Sequence, residues 1–168
     1  MTDSICPEKW QDKMEVTYEE HMRNHYSGVV SLAKELERAI GEEKTREILG
    51  RHYLREFAEW AKSIVKESPI NSMEDFTTMQ RRVFGASRSH VFEITEETPT
   101  SYREKTTSCI YAKVCRDLDA EGLGYVMFCA TDFPLASVFN PRLRLERTKT
   151  LMQGDDCCDF HYVWEKDG

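Results

Sequence analysis

The chain has 168 residues, of which 40 % are hydrophobic and 11 % aromatic, a length and composition that suit a single domain with a sizeable core. Its net charge of −7, with no Lys/Arg block interleaved with aromatics to offset it, argues against nucleic acid and anionic membranes as partners. No apolar run approaches the roughly 20 residues that cross a bilayer. The start, "MTDSICPEKWQDK", has neither a basic nor an apolar leader region, so a cytoplasmic protein is expected.

Residues 17–40 place Met22, Tyr26, Val29, Ala33, Leu36 and Ile40 at steps of three and four, the period of a helix. Thr17 and Glu20 form a capping-box pattern at its start, and Gly41 stops it. A second helix is expected from about Glu42 to Glu67, with Leu49, Tyr53, Phe57, Trp60 and Ile64 on one stripe, giving an N-terminal helical hairpin. A third, shorter helix follows the Asn71/Ser72 cap and carries Phe76, Met79 and Val83 before Gly85. Near Arg88 the pattern changes. "HVFEITEETPTSYREKTT" reads as two strands around a Thr-Pro-Thr turn. "TSCIYAKVCRDLDAEGLG" returns to helical period, with Gly122 and Gly124 as the stop. "YVMFCATDFPLASVFNP" fits either a buried strand or a short helix. "RLRLERTKTL" and "CDFHYVWE" alternate with period two and are joined by "MQGDD", a second hairpin. The expectation is a single α+β domain over 1–168, helical over 1–86, whose antiparallel sheet of about four strands is built from two hairpins and packed with helices.

In the last strand Cys158, Phe160, Tyr162 and Trp164 share the apolar parity, which points Cys158 inward and Cys157 outward with Asp159 and His161. Six cysteines in a chain without a secretory leader are expected to be reduced thiols, and neither Cys-x2-Cys nor His-x3-His spacing is present for a metal. Cys109 stands apart. With Thr107 or Ser108 as N-cap it falls in the first turn of a helix, off the Ile110/Val114/Leu118 stripe, where backbone N–H groups and the helix dipole lower a thiol pKa. The plainer alternative is that it fills space beside the sheet. Cys115 sits nearer the stripe and reads as structural. Asp132, three residues after Cys129 in an apolar segment, needs a partner or a capping role. Arg147 shares parity with Leu143 and Leu145 and needs a carboxylate from protein or ligand, whereas Arg144 faces water. His21, His25, His52 and His90 show no partner spacing and read as surface or core-edge residues.

Residues 108–162, "SCIYAKVCRDL…FCATDFPLASVFNPRLRLERTKTLMQGDDCCDFHY", resemble the L-2-amino-thiazoline-4-carboxylic acid hydrolase family. The matching features are Cys109 in a first helical turn, Cys129 and Asp132 three apart, Asn140-Pro141, Arg147-Thr148, and Gly154-x3-Cys158-x-Phe160. The resemblance implies hydrolytic opening of a cyclic isothiourea to N-carbamoyl-cysteine, a step in cysteine metabolism. In that reading Cys109 and Asp132 are catalytic, Arg147 holds the substrate carboxylate, and Cys129, Asn140, Thr148 and Cys158 contribute to substrate binding. The expected partner is a small-molecule substrate, with no nucleic acid or membrane; a homodimer is left open. No cofactor is expected, the competing version being one metal ion held by Cys109, Cys129, Cys158 and Asp132. The closing strand pair also resembles vinyl-reductase-type small-ligand-binding domains, which implies a pocket between helices and sheet without catalysis. The discriminating feature is whether a carboxylate and a cation converge beside a thiol or the cavity is apolar throughout.

Overall fold

In the computed structural model, which describes residues 14–85 and 87–165, three helices come first: α1 (Tyr18–Ile40), α2 (Glu42–Glu67) and α3 (Met73–Val83). Cys6 and the rest of residues 1–13, read above for a leader, lie outside the described residues. The boundaries follow from capping chemistry. Thr17 accepts from the Glu20 backbone N–H while Glu20 returns a bond to the Thr17 N–H, and Gly41, at φ +88°, lets the chain leave α1 and enter α2. Ser72 caps α3 by accepting from the Asp75 N–H.

A hairpin of β1 (His90–Thr98) and β2 (Ser101–Cys109) follows, turning at Pro99-Thr100, and the antiparallel sheet is completed by β3 (Leu143–Glu146) and β4 (Cys158–Trp164) in the order β1-β2-β4-β3. The expected α+β class with a four-stranded antiparallel sheet is therefore correct. The second hairpin is looser than its sequence suggests. β3 stops at Glu146, and residues 147–157 form a connection that includes a 3-10 turn (Leu151–Gln153) closed by Gly154 at φ +95°. Asp159 anchors this connection by accepting from the backbone N–H groups of Thr148 and Lys149 and from the Thr148 hydroxyl.

Between the hairpins the chain is helical apart from short turns, which settles the ambiguous apolar run: α4 (Ile110–Asp117), α5 (Glu121–Gly124), a π turn (Tyr125–Cys129) and α6 (Asp132–Phe139). The stop after α4 is Asp119 in a left-handed conformation, φ +47°, and not the two glycines, which lie inside α5. Gly124 is there for space: a Cβ would come within 2.6 Å of Cys115 Sγ and 2.7 Å of Met152 Sδ. The stretch Glu121–Phe139 reaches a mean hydropathy of 1.3 and has the length of a membrane span, contrary to the sequence expectation; here it packs against α2 and β3.

The interior divides into two apolar clusters. One joins α2, α3, α6 and the sheet through Phe76, Tyr102, Phe139, Leu143, Tyr162 and Trp164. The other joins α1, α4, α5 and the π turn through Val30, Ala33, Cys115, Leu123, Met127 and Met152. Strand alternation places Cys158, Tyr162 and Trp164 in the interior, as expected. Cys157 is a correction. It is only 4 % exposed, because it precedes β4 and so escapes the strand's alternation, and its thiol donates weakly to Asp156 beneath the Lys149–Asp156 ion pair.

Candidate functional site

A cavity of about 460 Å³ opens along the seam between the two clusters. It is walled by α2 (Phe57, Trp60), the end of α3 (Gln80, Phe84), β1 and β2 (His90, Glu104, Thr106, Cys109), the helical middle (Tyr111, Phe128, Cys129, Asp132) and the second hairpin (Arg147, Cys158, Phe160). Five residues expected at a site from sequence thus meet in one space: Cys109, Cys129, Asp132, Arg147 and Cys158.

Cys109 is the last residue of β2 and itself the N-cap of α4, one residue later than the cap expected from sequence. Burial pushes its thiol up to about 11, and the N–H groups of Ala112 and Tyr111 recover only part of this. The expected low-pKa thiolate is therefore corrected: at neutral pH the group is a protonated thiol, because the helix terminus does not outweigh the loss of water. Directly across the β1–β2 ladder sits His90, the Cα partner of Cys109. Cross-strand partners project to one face at about 5 Å between Cβ atoms. The His90 ring is held by Ser89 Oγ at 2.8 Å from Nδ1, and Ser89 Oγ in turn meets Ser87 Oγ at 2.8 Å. Its Nε2 has no hydrogen-bond partner among the described residues. Burial lowers the imidazole to about 4, so the ring is neutral at physiological pH. Reading His90 as a core-edge residue missed this pairing.

Asp132 opens the first turn of α6, and its carboxylate accepts from Arg147 Nη1 at 2.7 Å. Arg147 Nη2 donates to the Cys129 carbonyl at 2.8 Å, and the guanidinium lies between the rings of Phe133 and Phe160, 5.0 Å from each. The two partners are unequally placed. Asp132 keeps 30 % of its side chain open to the cavity while Arg147 keeps 2 %, so Arg147 stands behind Asp132 and holds it. Burial raises Asp132 to about 6, against the pull of Arg147. Cys129 and Cys158 share the hydroxyl of Thr150: the Cys158 thiol donates to Oγ1, which donates to Cys129 Sγ, each at 3.7 Å. Burial pushes the Cys129 thiol up to about 12.

Glu104 is a second carboxyl in the cavity, one that sequence reasoning passed over. It shares parity with Tyr102 and Thr106 on the inner face of β2, accepts from Tyr102 Oη at 2.8 Å through Oε2, and is pushed up to about 7 chiefly by burial. Gln80, 4 % exposed, also lines the cavity, and its Oε1 is buried without a hydrogen-bond partner among the described residues. Asn140 and Thr148 lie elsewhere. Asn140 ties the end of α6 to the α2–α3 connection through the Ile70 carbonyl and the Arg142 N–H, and Thr148 serves the Asp159 anchor. Among the described residues no group of three or more His, Cys, Asp or Glu side chains is arranged to hold a metal ion, so Cys109, Cys129, Cys158 and Asp132 share a cavity without forming a ligand cluster.

Among the solved structures similar to this chain are two at a TM-score of 0.54. The phenol-responsive sensory domain of the transcription activator PoxR, crystallised with phenol, aligns over 90 % of this chain and 76 % of its own at a TM-score of 0.54 and 12 % identity. Trafficking protein particle complex subunit 3 from Naegleria fowleri, covalently bound to palmitic acid, aligns over 88 % and 95 % at a TM-score of 0.54 and 11 % identity. No curated protein matches the chain in sequence. Residues 20–162 match one family along almost the whole of the described structure, and the chain belongs to it: the L-2-amino-thiazoline-4-carboxylic acid hydrolase family.

Proposed function

We propose that the protein hydrolyses a carboxylated cyclic amidine or isothiourea, opening a ring of the 2-amino-thiazoline-4-carboxylate type. The observation that carries this is the Asp132–Arg147 ion pair opening on the same cavity as Cys109. A cavity built only to hold an apolar ligand has no use for a buried carboxylate kept charged by an arginine, a costly arrangement. Asp132 meets the amidinium face of the substrate. Arg147 keeps Asp132 ionised and turns toward the substrate carboxylate when the amidinium takes its place.

Cys109 Sγ attacks the carbon between ring sulfur and nitrogen while His90 Nε2 takes its proton only in passing, because burial disfavours a standing imidazolium. The ring C–S bond breaks, and the departing sulfur takes that proton from His90. Water then adds to the carbon now bonded to Cys109, giving a proton to Glu104, whose elevated pKa suits exchange near neutrality. Loss of Cys109 as thiolate, reprotonated from Glu104, leaves the urea of N-carbamoyl-cysteine. One water has been added, and the enzyme returns to its starting protonation.

The test is to incubate the purified protein with 2-amino-thiazoline-4-carboxylate and follow the appearance of free thiol with a chromogenic disulfide, with mass analysis of the product. Thiol release by the wild type, abolished in Cys109→Ala and reduced at least 100-fold in Asp132→Asn, is expected. Equal release by Cys109→Ala removes the covalent route. No release by any form favours the second reading, a non-catalytic module that binds a small aromatic ligand. That alternative is supported by the aromatic walls of the cavity and by the fold shared with the phenol-responsive domain.

A further inference from the structure

The ring acid that names the family is a five-membered ring with an amino and a carboxylate group. A cavity of about 460 Å³ lies in the range of roughly 300–1,000 Å³ that takes drug-sized ligands. The polar residues used above occupy one part of it, where Asp132, Arg147, Cys129 and Cys158 gather. Rings line the cavity on its α2 and α3 side. Starting at His90, opposite Cys109, the Phe84 ring is 6.2 Å on, and Trp60 stands 6.1 Å beyond Phe84, both in edge-to-face contact. Phe57 continues this wall along α2. Nothing in the reaction needs these rings, which come from helices that supply no reacting group. The same wall holds the Gln80 amide, whose buried Oε1 lacks a partner among the described residues, a destabilising arrangement unless another group meets the amide.

Building on the hydrolytic reading, we infer that the substrate carries an aromatic substituent on the amidine nitrogen or ring, and that Trp60, Phe84 and Gln80 form the subsite that receives it. Flat apolar faces at ring-to-ring spacing select a planar group by offset or edge contact. The Gln80 amide supplies one hydrogen bond at its edge. The chemical class is thus an aryl-substituted cyclic isothiourea acid, whose ring opening gives an aryl-carbamoyl thiol.

The probes are 2-amino-thiazoline-4-carboxylate and its 2-anilino derivative, their dissociation constants measured by titration calorimetry on the full chain. The anilino compound is expected to bind at least 10-fold more tightly to the wild type. Trp60→Leu and Phe84→Leu should each cut that preference to about 2-fold, with circular dichroism and melting curves confirming that the variants fold; Phe84, at the end of α3, serves if the Trp60 variant does not. Equal binding of the two probes by the wild type overturns the inference, as does a preference that survives both substitutions. Failure of the hydrolytic reading looks different: the preference for the anilino compound persists, and neither compound is turned over.

Discussion

Glu104→Gln separates the cost of an ionised carboxylate in the cavity from its other contacts. Burial raises the Glu104 pKa from 4.5 to about 7, so the folded protein holds this proton across a pH range in which the unfolded chain has released it. The sign follows. Between about pH 4.5 and pH 7 the folded state binds more protons, so stability falls as pH rises through this window and levels off above it. At about 1.4 kcal/mol per pH unit, the full loss is about 3 kcal/mol. Glutamine keeps the shape and still accepts the Tyr102 hydroxyl, but it does not ionise. Urea unfolding at pH 5 and pH 8 reads the difference: the variant should match the wild type at pH 5 and exceed it by about 2–3 kcal/mol at pH 8. Parallel stability curves for the two proteins would show that Glu104 is solvated and that the cavity is wetter than its walls suggest. A variant less stable at pH 8 would mean that the charge is held by a partner, which contradicts the burial argument.

Alkylation of Cys109 by iodoacetamide, followed by peptide mass, should keep accelerating above pH 9, as a thiol pushed up to about 11 requires; a plateau below pH 8 would refute the protonated-thiol assignment. Arg147→Met should cost about 3–5 kcal/mol at neutral pH by stranding the Asp132 charge, and less at pH 5, where Asp132 is largely protonated. Adding Asp132→Asn should restore much of the loss, and an additive double variant would show that the pair is not coupled. Gly124→Ala should lower stability by about 1–3 kcal/mol despite alanine's better helix propensity, because the added methyl meets Cys115 and Met152; an unchanged or raised melting temperature would contradict the close packing of α5.

Helix periodicity and capping placed α1 and α3 because each pairs a polar cap, Thr17 or Ser72, with an apolar stripe, two local signals that agree; α2 was bounded instead by Gly41 and by the end of its stripe. The run from Tyr125 to Phe139 carried no such agreement. It is apolar on every side, and an all-round apolar segment has no period from which to read helix or strand. Asp132 and Arg147 were recognisable as a pair because each is expensive to bury alone. Their order, aspartate in front and arginine behind, depends on packing around Phe133 and Phe160 that no local pattern encodes. His90 was only partly legible: His90 and Cys109 each lie eight residues outward from Thr98–Ser101, but the hairpin between them carries two register irregularities, at Val91/Phe92 and Ile94/Glu96, which offset each other. Cys157 escaped because parity was applied one residue before the strand begins. Glu104 was hidden among exposed charges of the same hairpin.

The π turn at Tyr125–Cys129 adds one residue to the helical path and frees a backbone carbonyl for the site. There the Ala130 N–H reaches back five residues to the Tyr125 carbonyl, the Thr131 hydroxyl takes the Phe128 carbonyl, and the Cys129 carbonyl is left for Arg147. Pro134 has no N–H to give to the Ala130 carbonyl four residues back. A single π turn takes up one residue more than a regular α-helix over the same path, and removing that residue would let an ordinary α-helix run through. The extra residue is what leaves the Cys129 carbonyl as an acceptor for Arg147, the guanidinium that holds Asp132. A homologous chain that lacks it has to anchor its arginine on a different acceptor.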